Sequence, residues 1–400
     1  MTANDAQTSE LPLSGLKVIE FSHMVMGPAA GLVLADLGAD VIRVEPVSGD
    51  KTRTLVGSGA GYFAMYNRNK QSICLNLKSD GGKDVARKLL ADADILIENF
   101  RPGAMDRLGL GFETLSDLNP RLIYCSTHGF LNGPYAHRTA LDEVAQMMGG
   151  LAYMTGPPGR PLRAGASVID VMGGMFGAIG VFAALEQRHR TGLGQHVKSS
   201  LFESTVFLVG QHMAQYAVTG TAAAPMPARV SAWAIYDVFE TGDDERVFVG
   251  VVSDSQWLTF CDAFGFDALH DDRVLRENNE RVAQRDRIIP IVQARFRELS
   301  KVQLMQMLES SGLPFAPIAR PEDMFDDPHL NASGGLLETV LPDGKAVKLP
   351  AMPVEIGGRR MTARRNPPKV GEHMSQVLRH AGFDDEAIAA LVAEGAVSGD

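Results

Sequence analysis

Cysteine is scarce in this chain. Cys74, Cys125 and Cys261 are the only three and show no CxxC spacing, which excludes a disulfide framework and a cysteine zinc site and points to a reducing cytoplasm. Positive charge is in deficit as well. A formal net charge of -10 leaves no basic face for duplex nucleic acid, although a local basic pocket for a phosphorylated small molecule is compatible with it. The GxxxxGK[ST] phosphate loop, the HExxH zinc motif and the GxSxG elbow are all absent. Gly57-Ser58-Gly59-Ala60-Gly61 is not placed between a strand and a helix in dinucleotide spacing, so it reads as a flexible loop. The histidines show no ligand spacing, and no metal is expected. The most apolar run, Val171 to Leu185, falls short of the roughly 20 residues a membrane span needs. Bounded by Asp170 and Glu186, it reads as a buried core helix, and no membrane partner is expected. The first fifteen residues are polar and acidic, without the basic and apolar regions of a signal peptide.

What is present is the material of a globular α/β protein. Hydrophobic residues make up 45% of the chain and charged residues 22%, and 400 residues suggest two domains. From residue 15 onward strands alternate with helices: GLKVIEF, then a helix opened by Gly27-Pro28, then ADVIRVE, SICLNL, a helix, DILIEN, a helix, and RLIYCST. This order implies βαβ units and a largely parallel sheet. Ligands bind such sheets at the carboxyl ends of the strands, so His23-Met24, Glu98-Asn99-Phe100 and Thr127-His128-Gly129 mark the region of interest. Two long helical patterns follow, over 170–190 and roughly 199–218. The Ala/Pro-rich stretch 219–228 then introduces a second domain with two strand-like runs and several helices. The expected division is a large domain over 1–200, a linker over 201–225, a small domain over 226–325, a linker over 326–350 and a return to the large domain over 351–400. Short strands at LLETVL and AVKLP and a last helix after Gly371-Glu372-His373 close the chain.

Three segments carry candidate chemistry. In RAGASVIDVMGGMFGAIG, Asp170 opens a helix running from Val171 to about Arg188, at an N-cap or first-turn position. A capping carboxylate and a reactive one are both compatible with that place. Gly173, Gly177 and Gly180 allow another element to approach closely. In ENFRPGAMDRLGLG, Asn99, Phe100, Arg101 and Arg107 follow a strand end. They read either as a charged solvated turn or as groups that hold phosphates and stack on a base. In NKQSICLNLKS, Lys70 and Lys78 flank a strand, where lysines are usually solvated.

Taken together, the ordered segments PLSGLKVIEFSHMVMGPAAGLVLADLGADVIRVEP, NKQSICLNLKS, ENFRPGAMDRLGLG, LDEVAQMMGGLAYMTG, the Asp170 helix with ALEQRHRTGLGQHV, and VGEHMSQVL resemble the family III CoA-transferases. The resemblance runs from about Leu13 to Leu378. It implies that Asp170 is a nucleophile forming aspartyl-anhydride and aspartyl-CoA thioester intermediates, and that Asp142 is a second acidic residue near the reacting centre. It also implies that Val25, Met26, Leu75, Asn76, Leu77, Lys78, Asn99, Phe100, Arg101 and Arg107 line the coenzyme A site. Coenzyme A thioester is then a substrate and no separate cofactor is needed. The partners implied are an acyl-CoA donor and a carboxylic acid acceptor. The implied fold is a Rossmann-like large domain built from both chain ends plus a smaller α+β domain, in an interlocked ring-shaped homodimer.

Within that family, α-methylacyl-CoA racemases place a histidine directly before the acidic residue matched by Asp142. Leu141 stands there in this chain, so the imidazole base is missing. PARVSAWAIY lacks the glycine-rich loop of formyl-CoA transferases, and Val25 replaces their glutamine, which argues against formate or oxalate. Arg229 is a candidate partner for the distal carboxylate of a dicarboxylic acid, with succinyl-CoA as the donor. A non-catalytic CoA-binding protein is the alternative from another class, and a nicotinamide dehydrogenase would need the glycine fingerprint the chain lacks.

Overall fold

Five largely buried segments that carry Val, Ile or Leu, with a sixth, more polar one at the edge, are the material of a parallel sheet covered by helices. In the computed structural model, which describes residues 11–229 and 231–399, they form strands β1 (Lys17–Phe21), β2 (Asp40–Glu45), β3 (Lys70–Leu75), β4 (Ile95–Glu98), β5 (Ile123–His128) and β6 (His196–Ser200). All pair in parallel in the order β3-β2-β1-β4-β5-β6, and Val397–Ser398 adds a short antiparallel edge beside β3. This order reverses between β1 and β4, and a crevice opens at their carboxyl ends. The first ten residues of the expected polar lead lie outside the described residues.

The chain divides into two compact units, residues 1–227 with 328–400, and residues 228–327. The first holds the sheet. The second has an antiparallel three-stranded sheet of Ile235–Glu240, Arg246–Val251 and Phe315–Pro317, packed on an apolar cluster that includes Trp257, Phe260, Phe264 and Phe296.

In the first unit, helix α1 (Met26–Asp36) lies against the apolar helix α2 (Val168–Thr191). A side chain at Gly173 would meet Met26 Cε at 2.5 Å, and one at Gly174 would meet the Met26 carbonyl at 2.6 Å, so the helix crossing depends on glycine there. Helix α2 has 24 residues, three of them before the expected start at Val171. That is long and apolar enough to cross a bilayer by length and composition, yet Ile169, Ala178, Val181 and Leu185 are buried in this unit.

Several expectations change at this level. Strand β6 occupies residues assigned to no element or to the start of a helix. Its sequence, HVKSS, has one apolar residue and a half-buried edge position, so no alternation marks it. The stretch expected as a linker over 201–225 holds helices α3 (Leu201–Leu208) and α4 (Gly210–Thr219). The stretch over 326–350 holds a short helix and the antiparallel hairpin of Leu336–Val340 with Ala346–Pro350. The expected last helix is two, Met374–His380 and Asp385–Ala393, separated by Gly382 at φ 83°. The glycine-rich segment forms a 3-10 turn over Gly57–Gly59, and Tyr62–Tyr66 is helical.

Lys70 is not solvated. It is fully buried, and its Nζ sits 2.7 Å from Glu20 Oε2 and 2.9 Å from the Pro28 carbonyl. Arg43 joins the same group, 3.0 Å from Glu20 Oε1 and also paired with Asp50. Burial lowers the Lys70 pKa to about 8 against the opposing pull of Glu20. Ions cost several kcal/mol each to remove from water, so such a group persists only when every charge is met. Gly31 makes room for it, since a Cβ there would lie 1.7 Å from Glu20 Oε2. Gly31→Ala should therefore destabilise the protein by about 3 kcal/mol or more, read from the urea midpoint. Gly61→Ala, which meets nothing within 4 Å, should shift it by less than about 0.5 kcal/mol.

Candidate functional site

The crevice between β1 and β4 is closed at its base by a reciprocal pair of hydrogen bonds. The His23 amide donates to Asn99 Oδ1 at 3.0 Å, and Asn99 Nδ2 donates to the His23 carbonyl at 2.8 Å. Met24, in the turn to α1, has φ 62°, a conformation costly for a non-glycine residue and typical of functional sites. Phe100 lies beside His23 with ring centroids 6.0 Å apart. Above these groups is a cleft of about 360 Å³, within the range of small-molecule sites. Its walls come from the β1, β4 and β5 ends, the loop 138–143 and the start of α2.

Asp170 opens into this cleft from the first turn of α2. Ser167, the N-cap residue, makes no capping bond with its side chain. The cap comes instead from Asp142, at the start of helix Asp142–Met148. Asp142 Oδ2 accepts from the amides of Ile169 at 2.9 Å and Asp170 at 3.2 Å. Its Oδ1 accepts from Gln146 Nε2 at 2.6 Å and Arg163 Nη2 at 3.0 Å. The helix amides that a first-turn aspartate could satisfy are thus already taken. Among the described residues no group donates to the Asp170 carboxylate.

The electrostatics follow from that arrangement. Burial, and then the Asp142 charge, push the Asp170 carboxyl up to about 7, with Arg163 pulling the other way. Tyr66 is raised by burial and then by the charges of Asp170 and Tyr62. The Tyr62 hydroxyl is 3.2 Å from Ser167 Oγ on the cleft wall. His23 is lowered, chiefly by burial. His128 Nε2 lies 2.9 Å from Glu98 Oε1 where β4 and β5 end.

Of the residues singled out in the sequence, His23, Met24, Met26, Asn99, Phe100, Arg101, Thr127, His128, Gly129, Asp142 and Asp170 line one cleft. The others lie outside it. Val25 and Leu75 are buried, Asn76 Nδ2 holds the Gly395 carbonyl at 3.3 Å, and Leu77 packs on the core. Lys78 and Arg107 are exposed. Arg229 belongs to the second unit. Sequence reasoning passed over Tyr62, Arg138, Ser167 and Arg163. The one available signal was that Arg163 and Ser167 lie in the segment leading into the Asp170 helix.

Comparison with known proteins finds relatives along nearly the whole chain. A family model for CoA-transferase family III matches residues 13–374. The chain belongs to CoA-transferase family III. It is an enzyme of that kind. Similar curated proteins include the succinyl-CoA:glutarate CoA-transferase of Mus musculus, 32% identical over 96% of this chain and 90% of the relative. The succinate–glutarate CoA-transferase of Agrobacterium fabrum is 35% identical over 94% and 96%. The crystal structure of a CaiB/BaiF family protein from Brucella suis superposes with TM-score 0.82 at 32% identity, covering 93% of this chain and 99% of that one.

The raised Asp170 pKa has a definite sign for stability. A carboxyl that binds its proton more tightly when folded favours the fold below its unfolded value near 4, and that contribution is lost as pH rises through about 7. Asp170→Asn should therefore gain in melting temperature over the wild type as pH rises from about 4, levelling off above about 7. In the wild type, kcat/KM should rise with an apparent pKa of about 7. Asp142→Asn removes the charge behind part of that elevation, so the rising limb should move to lower pH. The weakened cap should also cost about 1–2 kcal/mol in denaturant unfolding.

Proposed function

We propose that this protein transfers coenzyme A from an acyl-CoA, with succinyl-CoA as the first candidate donor, to a carboxylic acid by way of covalent intermediates on Asp170. The observation that carries this reading is a partly desolvated carboxylate in the switch-point crevice, with its oxygens unbonded because Asp142 caps the helix in its place. A carboxylate stripped of hydrogen bonds is a better nucleophile than a solvated one, and a pKa of about 7 leaves an ionised fraction at neutral pH.

In this mechanism an Asp170 oxygen attacks the thioester carbonyl carbon, the C–S bond breaks, and CoA thiolate leaves a mixed anhydride. The thiolate then attacks the Asp170 carbonyl carbon, breaking the anhydride C–O bond and releasing the donor acid. An aspartyl-CoA thioester remains. The acceptor carboxylate attacks that carbonyl carbon, expelling the thiolate and forming a second anhydride. Attack of the thiolate on the acceptor acyl carbon gives the new acyl-CoA and restores Asp170. Each step keeps an activated acyl bond, so no nucleotide is consumed. Retention of the thiolate near Asp170 supplies effective molarity larger than any helix-dipole term, which is about 0.3–1 kcal/mol.

Met26, Asn99, Phe100 and Arg101 are the proposed coenzyme A contacts at the β1 and β4 ends. Asp142 acts as a positioning group through the backbone of Asp170. A homodimer is part of the proposal, supported by the exposed apolar side chains Phe207, Met213, Tyr216 and Val218 along α3 and α4. A cytoplasmic setting is supported by three free, buried thiols. The racemase alternative has no support at Leu141, which is exposed and carries no base.

Incubation with succinyl-CoA and a panel of other thioesters, followed by hydroxylamine and peptide mass spectrometry, tests the mechanism. A hydroxamate on the peptide containing Asp170 is expected, absent in Asp170→Asn, with exchange activity in that variant reduced by at least about 1000-fold. Retained CoA binding with no adduct from any donor would favour a non-catalytic binding protein.

A further inference from the structure

The cleft carries a positive charge that the transfer chemistry at Asp170 does not use. Arg138 lines it, on the loop that follows β5. The guanidinium carbon of Arg138 lies 5.2 Å from the ring centroid of Tyr135 and 5.8 Å from that of Phe130. Those rings contact one another and a third, with Phe130 and Tyr135 5.7 Å apart and Phe202 5.5 Å from Phe130. Phe130 is buried, and the Phe202 amide donates to the Gly129 carbonyl at 3.0 Å. An aromatic bed of this kind restrains the guanidinium plane and leaves its edge donors available.

No carboxylate lies within ion-pair distance of Arg138 among the described residues. Glu143 shares the cleft wall without pairing with it. Arg163, by contrast, is committed to Asp142 at 3.0 Å, and Arg101 stands at the β4 end beside Phe100, on the side proposed for coenzyme A. An unpaired guanidinium lining the same cleft as a nucleophile is a receptor for an anion, and its fork geometry suits a carboxylate.

We propose that Arg138 receives the distal carboxylate of a dicarboxylic acyl group, making dicarboxylic acids the substrate class of this enzyme. This rests on the covalent transfer reading at Asp170. One carboxylate of the acid reacts at Asp170 while the other is held at Arg138. A monocarboxylic acid of the same length leaves the guanidinium unmet.

The test compares glutarate with pentanoate as acceptors from succinyl-CoA in the wild type, Arg138→Gln and Arg138→Lys. The wild type should prefer the diacid. In Arg138→Gln the ratio of kcat/KM for glutarate to that for pentanoate should fall by about 10–100-fold, the size expected for loss of a charged hydrogen-bonded contact. Arg138→Lys, which keeps charge without the fork, should fall between. A wild type that does not discriminate overturns the proposal without any variant. So does a ratio unchanged in Arg138→Gln, or an equal rise in KM for every acyl-CoA, which would place Arg138 on coenzyme A instead. Hydroxylamine trapping on the wild type separates the two readings: no hydroxamate sinks the aspartyl mechanism, while a hydroxamate with an unaltered ratio sinks the role of Arg138 alone.

Discussion

The hydrogen bonds from the amides of Ile169 and Asp170 to the Asp142 carboxylate are the constraint on which the site depends. A helix start buried beside a cleft must have its free amides met, and a first-turn aspartate is the ordinary residue to meet them. Here a carboxylate from another helix does so. That leaves Asp170 desolvated and without donors, and it places a second negative charge close enough to raise its pKa. The position and freedom of the reactive oxygens follow from this cap, while burial first and then the Asp142 charge raise the pKa. Arg163 and Gln146 hold the other oxygen of Asp142, so the capping group is fixed from both sides.

A second constraint lies under the cleft floor. Glu20 on β1, Arg43 on β2 and Lys70 on β3 join three adjacent strands through buried charge, with Asn67 bonded to both cations. A buried ion group of this kind is weak evidence for added stability, because desolvation offsets most of the attraction. Its effect here is positional. It ties strands on one side of the switch point to α1 through the Pro28 carbonyl, and α1 carries Met26 into the cleft. The glycines of α2 complete the arrangement by letting that helix close on α1, which brings Asp170 beside the strand ends.

The two sides of the reaction centre use charge differently. Near the nucleophile, each oxygen of Asp142 is saturated with donors, which fixes the geometry and leaves Arg163 little freedom to bind an anion. On the wall of the same cleft, Arg138 lies near aromatic rings rather than a counter-ion. Rings restrain a guanidinium without neutralising it, whereas a carboxylate would do both. This contrast in how two arginines are held separates a positioning group from a receptor.

Read alone, the chain determined the parallel α/β sheet, the crevice at its strand ends, the place of Asp170 in the first turn of an apolar helix and, through ordered motif resemblance, the family. These rest on apolar periodicity and on motifs spanning a few consecutive residues, which act locally. Only the tertiary structure decided that Asp142 caps and Asp170 does not, that Lys70 is buried while Lys78 is exposed, and that Arg138 and Arg163 face the same cleft as Asp170. The strand HVKSS likewise forms because β5 offers it an edge, and its own composition carries almost no strand signal. A side chain's partners are set by elements distant in sequence, and burial, pKa and hydrogen-bond satisfaction are properties of those partners rather than of the residue.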